Sequence, residues 1–237
     1  MRRLTNWHVV SKGFVERKTD RRNQLSDESR RRLLEAATEI AAERGYEGTS
    51  IALVTKRSGL PASSVYWHFG SKDELLAAVI EHSFQKWLPA VPRWAPLEPL
   101  ESDTDRSERL REILRQAGRS LLDRPEFMRL GLMLSLERRV VEPAARARFL
   151  EIRATILESM RGWWESALPA EVLRERPSLP LQLAQLHMAA SDGLFAGAQT
   201  AGEDFDLMAL MELLADALDA MADRIAAQVS RGQAVSS

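Results

Sequence analysis

Apolar side chains recur at intervals of three and four residues along most of the chain, which is the spacing of an amphipathic helix. The first such stretch consists of Leu33, Leu34, Ala37, Ile40 and Ala41. Ser26 precedes this stretch and can cap a helix, and Asp27 and Glu28 place negative charge at the positive end of the helix dipole. We therefore predict a first helix from Ser26 to about Arg44.

The same spacing, interrupted by proline, glycine and acidic turns, predicts an all-α fold. The predicted helices span about residues 50–58, 61–69, 71–87, 104–122, 125–139, 143–167, 180–200 and 205–230, with a short helical turn near 169–174. Prolines at positions 89, 92, 96 and 99 forbid a regular helix there, so residues 88–103 are predicted to form a loop. The loop separates a small domain, residues 26–87, from a larger helical domain, residues 104–237. Residues 1–25 are predicted to be a basic, disordered arm.

Residues 49–76 read as helix, tight turn, short helix, second turn and new helix. A helix-turn-helix DNA-binding motif requires this order. Ser50 or Thr49 can cap the first helix, and Gly59 supplies the permissive backbone at which that helix ends. Val65 and Phe69 are the core residues of the short second helix. The side chains left on its outer face are Ser63, Ser64, Tyr66, Trp67 and His68. Spacing alone also permits an ordinary helical protein whose aromatic side chains are half-buried.

The run GLPASSVYWHFGSKDEL resembles the signature of the tetracycline-repressor-like (TetR) family of transcriptional regulators. The resemblance extends back through LLEAATEIAAERGY and covers about residues 29–84. The chain departs from the family at Val54-Thr55 and Ser58-Gly59, where members usually have Ile-Ala and Ala-Gly. The resemblance implies an N-terminal three-helix DNA-binding domain, with its connecting helix, joined to a helical domain for ligand binding and dimerisation.

On this interpretation, several side chains of the motif contact DNA. We expect Ser63, Ser64 and Trp67 to contact base edges or a thymine methyl group, and Tyr66 and His68 to contact mainly phosphates. The hydroxyls of Thr49 and Ser50, and the ammonium group of Lys72, should reach the DNA backbone. The short helix contains no Arg or Asn that could bond a base bidentately, so the bases it reads are not predicted.

Charge is unevenly distributed, although the net charge is only −1. Residues 1–87 contain 15 Lys and Arg against 11 Asp and Glu, whereas the remaining residues contain 18 against 23. A basic N-terminal part suits contact with phosphates. Within the arm, Arg17, Lys18, Arg21 and Arg22 are candidate DNA contacts; the alternative is a solvated tail.

The larger domain is predicted to dimerise and to bind an effector. Small residues in the helix 180–200 permit close helix approach, and the following helix is apolar around much of its circumference. The resemblance implies a homodimer through residues 180–230, binding a palindromic operator, and a pocket for a small hydrophobic or planar effector. The candidate lining residues are Trp87, Met128, Leu132, Met133, Leu136, Phe149, Ile152, Ile156, Trp163, His187, Met188, Asp192 and Phe195.

Other classes of protein receive little support. The chain has no cysteine, and its four histidines show no metal-binding spacing. We expect no catalytic residues, no metal, no cofactor and no membrane span, and we expect a soluble, cytoplasmic protein. The predicted function is a DNA-binding transcriptional regulator, in the commoner case a repressor that responds to a ligand. The alternative is a helical dimeric interaction protein that keeps a degenerate DNA head and binds a protein partner.

Overall fold

The computed structural model describes the backbone of residues 7–90, 92, 94, 103–123, 125–136, 143–202 and 204–236, and the side chains of residues 23–90, 92, 94, 106–123, 125–136, 143–202 and 204–231. The elements are α1 (Trp7–Gly48), α2 (Ile51–Ser58), α3 (Ala62–Phe69), α4 (Lys72–Trp87), a 3₁₀ turn (Leu88–Ala90), α5 (Asp103–Asp123), α6 (Glu126–Leu136), α7 (Ala144–Ala167), α8 (Ala170–Glu175), α9 (Leu179–Thr200) and α10 (Leu207–Ser236). The described residues contain no strand, which confirms the all-α prediction.

The first helix differs most from its prediction. It begins at Trp7 instead of Ser26, so the backbone of residues 7–25 is helical where a disordered arm was expected. No proline interrupts this stretch, so the helical hydrogen-bond ladder can continue through it. At the other end the helix breaks at Gly45, whose φ of 69° and ψ of −173° lie in a region that essentially only glycine adopts. Residues 1–6 lie outside the described residues.

The contacts divide the chain into two compact units. The N-terminal unit comprises residues 1–83 and 129–148, so part of α6 and the start of α7 group with the N-terminal helices. The sequence placed residues 129–148 in the larger domain. Helices α1, α2 and α3 pack against one another. The fully or almost fully buried core residues of this unit include Leu33, Ala37, Ile40, Val54, Val65, Leu75, Leu76, Val79 and Ile80.

The C-terminal unit comprises residues 84–128 and 149–237. In it, α10 packs against α5, α8 and α9. The Arg106 side chain, 2% exposed, bridges α5 to α10 by donating to Asp219 at 2.8 Å and also to Asp223. Because both of its carboxylate partners are present, the buried charge is compensated. Two more ion pairs, Arg111–Asp216 at 2.6 Å and Arg115–Glu212 at 3.1 Å, continue along the same pair of helices.

A close approach at Gly197 fixes the turn between α9 and α10. A methyl group added at Gly197 would lie 2.6 Å from Cζ of Phe205, whereas one added at Gly162 in α7 would meet nothing within 4 Å. A contact of 2.6 Å forces the ring or the helix to move, because packed interiors have little free volume.

We predict opposite effects for two glycine-to-alanine substitutions. Gly197→Ala should lower the free energy of unfolding by about 1–3 kcal/mol through overpacking. Gly162→Ala should raise it by about 0.5–1 kcal/mol through helix propensity. Urea unfolding followed by circular dichroism measures both. A Gly197→Ala variant as stable as the Gly162→Ala variant would contradict the proposed packing.

Candidate functional site

Two glycines hold the short helix α3 in place. Gly59 ends α2 in the left-handed conformation, with φ 69° and ψ 19°, and its N–H donates to the Thr55 carbonyl at 2.9 Å. Gly70 follows α3 with φ 78°, and its N–H donates to the Tyr66 carbonyl at 2.9 Å. Val65 is fully buried and anchors α3 to the N-terminal unit. The opposite face of α3 is therefore fixed outward.

That outward face carries two large exposed aromatic side chains. Tyr66 is 55% exposed and Trp67 is 72% exposed. Ser63 is also exposed, and Ser64 is partly exposed. The Trp67 and His68 rings lie edge to face, with centroids 4.4 Å apart, so each restricts the other. Aromatic groups with polar atoms, held rigidly in solvent, are suited to contact a partner surface.

The surroundings of His68 favour its neutral form. Partial burial, followed by the nearby positive charge of Arg30, lowers the pKa of His68, and Asp27 opposes the shift. At neutral pH the imidazole is therefore uncharged. It can contact a phosphate as a hydrogen-bond donor but not as a cation.

The two residues expected at the start of α2 behave differently. The Ser50 oxygen accepts from the Leu53 N–H at 3.2 Å and caps the helix, and the side chain stays partly exposed. Thr49 is fully buried, and its hydroxyl donates to the Gly45 carbonyl at 2.7 Å. The break at Gly45 turns this carbonyl towards Thr49. We therefore withdraw Thr49 from the predicted DNA contacts, because its hydroxyl is neither exposed nor free.

Lys72, in the first turn of α4, is positioned by a neighbour that the sequence did not single out. Its Nζ lies 4.9 Å from the centroid of the Tyr46 ring. The Tyr46 hydroxyl donates to Asp73 Oδ1 at 2.8 Å, and Asp73 Oδ2 accepts from the Ala144 N–H at 2.7 Å. Asp73 lies in the first turn of α4 and also caps the first residue of α7.

The four candidate arm residues, Arg17, Lys18, Arg21 and Arg22, lie in helix α1, but their side chains fall outside the described ones. Among the described residues, no three His, Asp or Glu side chains lie close enough together to hold a metal ion. In the same part of the chain, every helix is too short or too polar to cross a membrane.

A cavity lies within the C-terminal unit. Together with its mouth to solvent it has about 510 Å³ of space not occupied by protein atoms. Its lining residues are Trp87, Pro92, Trp94, Ala117, Leu121, Met128, Arg153, Ile156, Met160, His187, Met188, Ser191 and Asp192. Most of the wall is apolar and aromatic, and the polar groups come from α7 and α9.

The structure brings six of the candidate lining residues to this cavity: Trp87, Met128, Ile156, His187, Met188 and Asp192. Four others are buried in the same unit without lining it, namely Phe149, Ile152, Trp163 and Phe195. The remaining three, Leu132, Met133 and Leu136, belong to the N-terminal unit. Met133 is 49% exposed and Leu136 is 85% exposed, so these two candidates are not core residues of the described chain.

Sequence reasoning missed Arg153, a charged residue beside the apolar positions of α7, and it treated Trp94 as part of a loop. Arg153 donates to Asp192 across the cavity wall. The Trp94 ring lies edge to face with the His187 ring, at a centroid distance of 5.1 Å. His187 and Asp192, about 140° apart on an ideal helix, nevertheless border one space, because Met188 and Ser191 fill the arc between them.

Burial sets the ionisation of the two titratable groups on α9. It lowers the pKa of His187 to about 3, so the imidazole is neutral at physiological pH. It also raises the pKa of Asp192, while the positive charge and hydrogen bond of Arg153 act in the opposite direction. Because Arg153 balances the carboxylate, the cavity wall carries no net charge from these groups.

The helix-turn-helix region and the whole fold are each similar to those of known proteins. Residues 33–79, which include α2 and α3, match the family model of bacterial regulatory proteins, tetR family. An HTH-type transcriptional repressor of Mycobacterium tuberculosis is 36% identical over 107 residues, which are 44% of this chain and 54% of that protein. The chain thus spans about half the length of the first curated relatives that it matches.

Two further similarities cover more of the chain. The HTH-type transcriptional repressor AcnR of Corynebacterium efficiens is 23% identical over 187 residues, 78% of this chain and 90% of that protein. The solved structure of SmeT, the repressor of the Stenotrophomonas maltophilia multidrug efflux pump SmeDEF, is 22% identical with a TM-score of 0.59, over 81% of this chain and 89% of that one. The second similarity concerns the fold alone. Motif and fold define a helical protein with an N-terminal helix-turn-helix unit. Over residues 33–79 the chain is thus similar to bacterial regulatory proteins of the tetR family.

We predict that His187 makes stability depend on pH. In the unfolded chain its pKa returns to about 6.5, so below that pH only the unfolded chain takes up the proton, and stability falls as pH decreases. Between pH 7.5 and 5 this residue should reduce the free energy of unfolding by about 2 kcal/mol, at ~1.4 kcal/mol per pH unit below 6.5. Urea unfolding at several pH values measures the slope. The His187→Gln variant should show a shallower slope between pH 6.5 and 5. An unchanged slope would mean that His187 is not buried in its neutral form.

Proposed function

We propose that the protein is a transcriptional regulator that binds a palindromic operator as a homodimer and releases it on binding a small effector, so that it acts as a repressor in the cytoplasm. The observation that carries the proposal is the rigid exposure of Tyr66 and Trp67 on a helix anchored by Val65. A major groove admits one α-helix, and α3 offers it hydroxyl, phenol, indole and imidazole groups.

The proposed roles of these side chains follow from their positions. Ser63, Ser64 and Trp67 contact base edges or a thymine methyl group. Ser50, Tyr66, neutral His68 and Lys72 contact phosphates. The Ser50 oxygen caps α2 as an acceptor, so its hydroxyl hydrogen can still be donated to a phosphate. Lys72 is supported from behind by the Tyr46 ring, which limits the freedom that its side chain loses on binding.

Substitutions at the proposed contacts should differ in how they change the salt dependence and the sequence preference of DNA binding. Lys72→Ala should weaken binding to every DNA sequence alike and reduce the slope of log affinity against log salt by about 1. Tyr66→Ala should also weaken all sequences alike, with little change in slope. Trp67→Ala should instead change which sequences are preferred. Fluorescence anisotropy measures these effects at several salt concentrations, with DNA selected from the region upstream of the gene that encodes the protein.

Arg174→Ala in α8 is a charge-matched control, because Arg174 is exposed in the C-terminal unit and has no proposed role in DNA binding. It should leave affinity and slope unchanged. A Lys72→Ala variant that behaves like this control would contradict the phosphate contact. The same titration tests the arm: replacing Arg17, Lys18, Arg21 and Arg22 by Gln without a change in slope would exclude them. Binding that does not depend on salt would favour the alternative of a protein partner.

The proposed dimer rests on apolar side chains left exposed on the last two helices. Leu181 and Leu186 in α9 are 37% and 43% exposed, and Leu213 and Met221 in α10 are 63% and 40% exposed. Exposed apolar area of this kind is expected where a partner covers it. A two-fold dimer would present two copies of α3 about one helical turn of DNA apart, ~34 Å.

We predict that Leu213→Arg produces a monomer at micromolar concentration, since it places a charge in the covered surface. Sedimentation velocity measures the oligomeric state. Leu122→Arg is the matched control, because Leu122 is 50% exposed but lies in α5. It should leave the dimer intact. A wild-type protein that sediments as a monomer would contradict the dimer directly.

The cavity of the C-terminal unit is the proposed effector site. An effector can release DNA only if it binds more tightly to the conformation that fits the operator poorly. The apolar and aromatic lining supports a hydrophobic or planar effector.

A further inference from the structure

Three buried polar atoms that border the cavity have no hydrogen-bond partner in the described part of the protein. They are His187 Nδ1, Ser191 Oγ and Asp192 Oδ1. All three lie within residues 187–192 of α9. Buried polar groups are almost always bonded to something, and in the effector-free protein water can serve as that partner. An effector that displaces this water must replace its hydrogen bonds, or binding loses affinity.

The three atoms differ in the kind of hydrogen-bond partner that each can take. A serine hydroxyl and a neutral imidazole can each donate or accept, depending on rotation or tautomer. The carboxylate of Asp192 can only accept. Its Oδ2 already accepts from Arg153, whereas no donor in the described part of the chain reaches Oδ1. The unmet requirement of the cavity is therefore a hydrogen-bond donor directed at Asp192 Oδ1.

The charge balance disfavours an ionic effector. Arg153 and Asp192 compensate each other, and His187 is neutral because burial lowers its pKa. A cationic molecule would bring a second positive charge next to Arg153. An anionic molecule would compete with Asp192 for Arg153 and leave one of the two carboxylates unpaired in a buried site.

The shape and the chemistry of the walls favour an aromatic ring. Trp87 and Trp94 line the cavity together with the sulfur-containing side chains of Met128, Met160 and Met188. Trp94 is held edge to face against both His187, at 5.1 Å, and Trp163, at 5.9 Å. Flat indole faces and polarisable thioethers both contact aromatic rings favourably.

We infer that the effector is an uncharged aromatic molecule with at least one N–H or O–H group, and that this group donates a hydrogen bond to Asp192 Oδ1 beside the Ser191 hydroxyl. This inference rests on the proposed effector site and specifies the chemical class that it takes. A ring without a donor fills the same space but leaves Asp192 Oδ1 unpaired.

Isothermal titration calorimetry of the full chain with two matched pairs of probes tests the inference. Indole and 1-methylindole differ in the N–H group, and 2-naphthol and 2-methoxynaphthalene differ in the O–H group. The donor-bearing member of at least one pair should bind ten-fold or more tightly than its methylated partner. Tryptamine and indole-3-acetate, which add a positive and a negative charge, should bind more weakly than indole. Absence of a donor preference in both pairs, absence of binding by all the probes, or tighter binding of a charged probe would overturn it.

Variants of three cavity residues test which side chains cause the preference for donor-bearing probes. In Asp192→Asn the amide oxygen can serve Arg153 while the amide N–H₂ faces the cavity, so the ratio of affinities within the preferred pair should fall towards one. Ser191→Ala removes only a hydroxyl, does not disturb the ion pair, and should reduce the ratio several-fold; it keeps the test valid if Asp192→Asn does not fold. Met188→Leu is the control, because it changes an apolar wall and should alter both members of a pair alike. A ratio unchanged in Asp192→Asn and Ser191→Ala would overturn the inference.

The two proposals fail separately. Probe binding is measured without DNA, and DNA binding is measured without probes. A protein that binds its selected DNA but treats the two members of each pair equally refutes the effector class and leaves the regulator intact. A protein that prefers the donor-bearing probes but binds no DNA refutes the regulator and leaves the chemistry of the cavity intact.

Discussion

The tight turn at Gly59 is the constraint on which the exposed surface of α3, the proposed DNA contact, depends. Its left-handed backbone, with φ 69°, ends α2 and allows α3 to start only three residues later. Val65 can then enter the core completely, and Tyr66 and Trp67 are left in solvent. A side chain at position 59 would strain this turn, and α3 would have to reorient. The exposed aromatic face is thus a consequence of one backbone conformation and one buried valine.

Two arginines of the C-terminal unit, the buried Arg106 and the partly buried Arg153, illustrate different uses of the same chemistry. Arg106 donates to two carboxylates of α10, so its charge is fully compensated and it ties α5 to α10. Among the described residues, Arg153 has a single carboxylate partner, Asp192, and the second oxygen of that carboxylate is buried without a donor. Completed networks stabilise a fold, whereas incomplete ones are costly unless something else completes them. This difference distinguishes the structural ion pairs of Arg106 from the ion pair beside the proposed effector site.

Local signals in the sequence were sufficient for most helices and for the outward face of α3, because caps, glycines and apolar spacing act within a few residues. They failed where distant or non-local geometry decides. The break at Gly45 buries Thr49, and nothing in the cap motif indicated this. Residues 129–148 join the N-terminal unit through contacts between residues that are far apart in sequence. Side-chain type identified interior residues of the C-terminal unit, but only the structure distinguishes those that border the cavity from those, such as Trp163, that pack beside it.

The central claim is that the exposed face of α3 enters the major groove, once in each half of a two-fold symmetric site. Methylation protection measures this most directly, because dimethyl sulfate modifies guanine N7 in the major groove and adenine N3 in the minor groove. The account predicts protection of guanine N7 in two patches whose centres lie about 10 base pairs apart. Protection confined to adenine N3, or no protection at saturating protein, would contradict it.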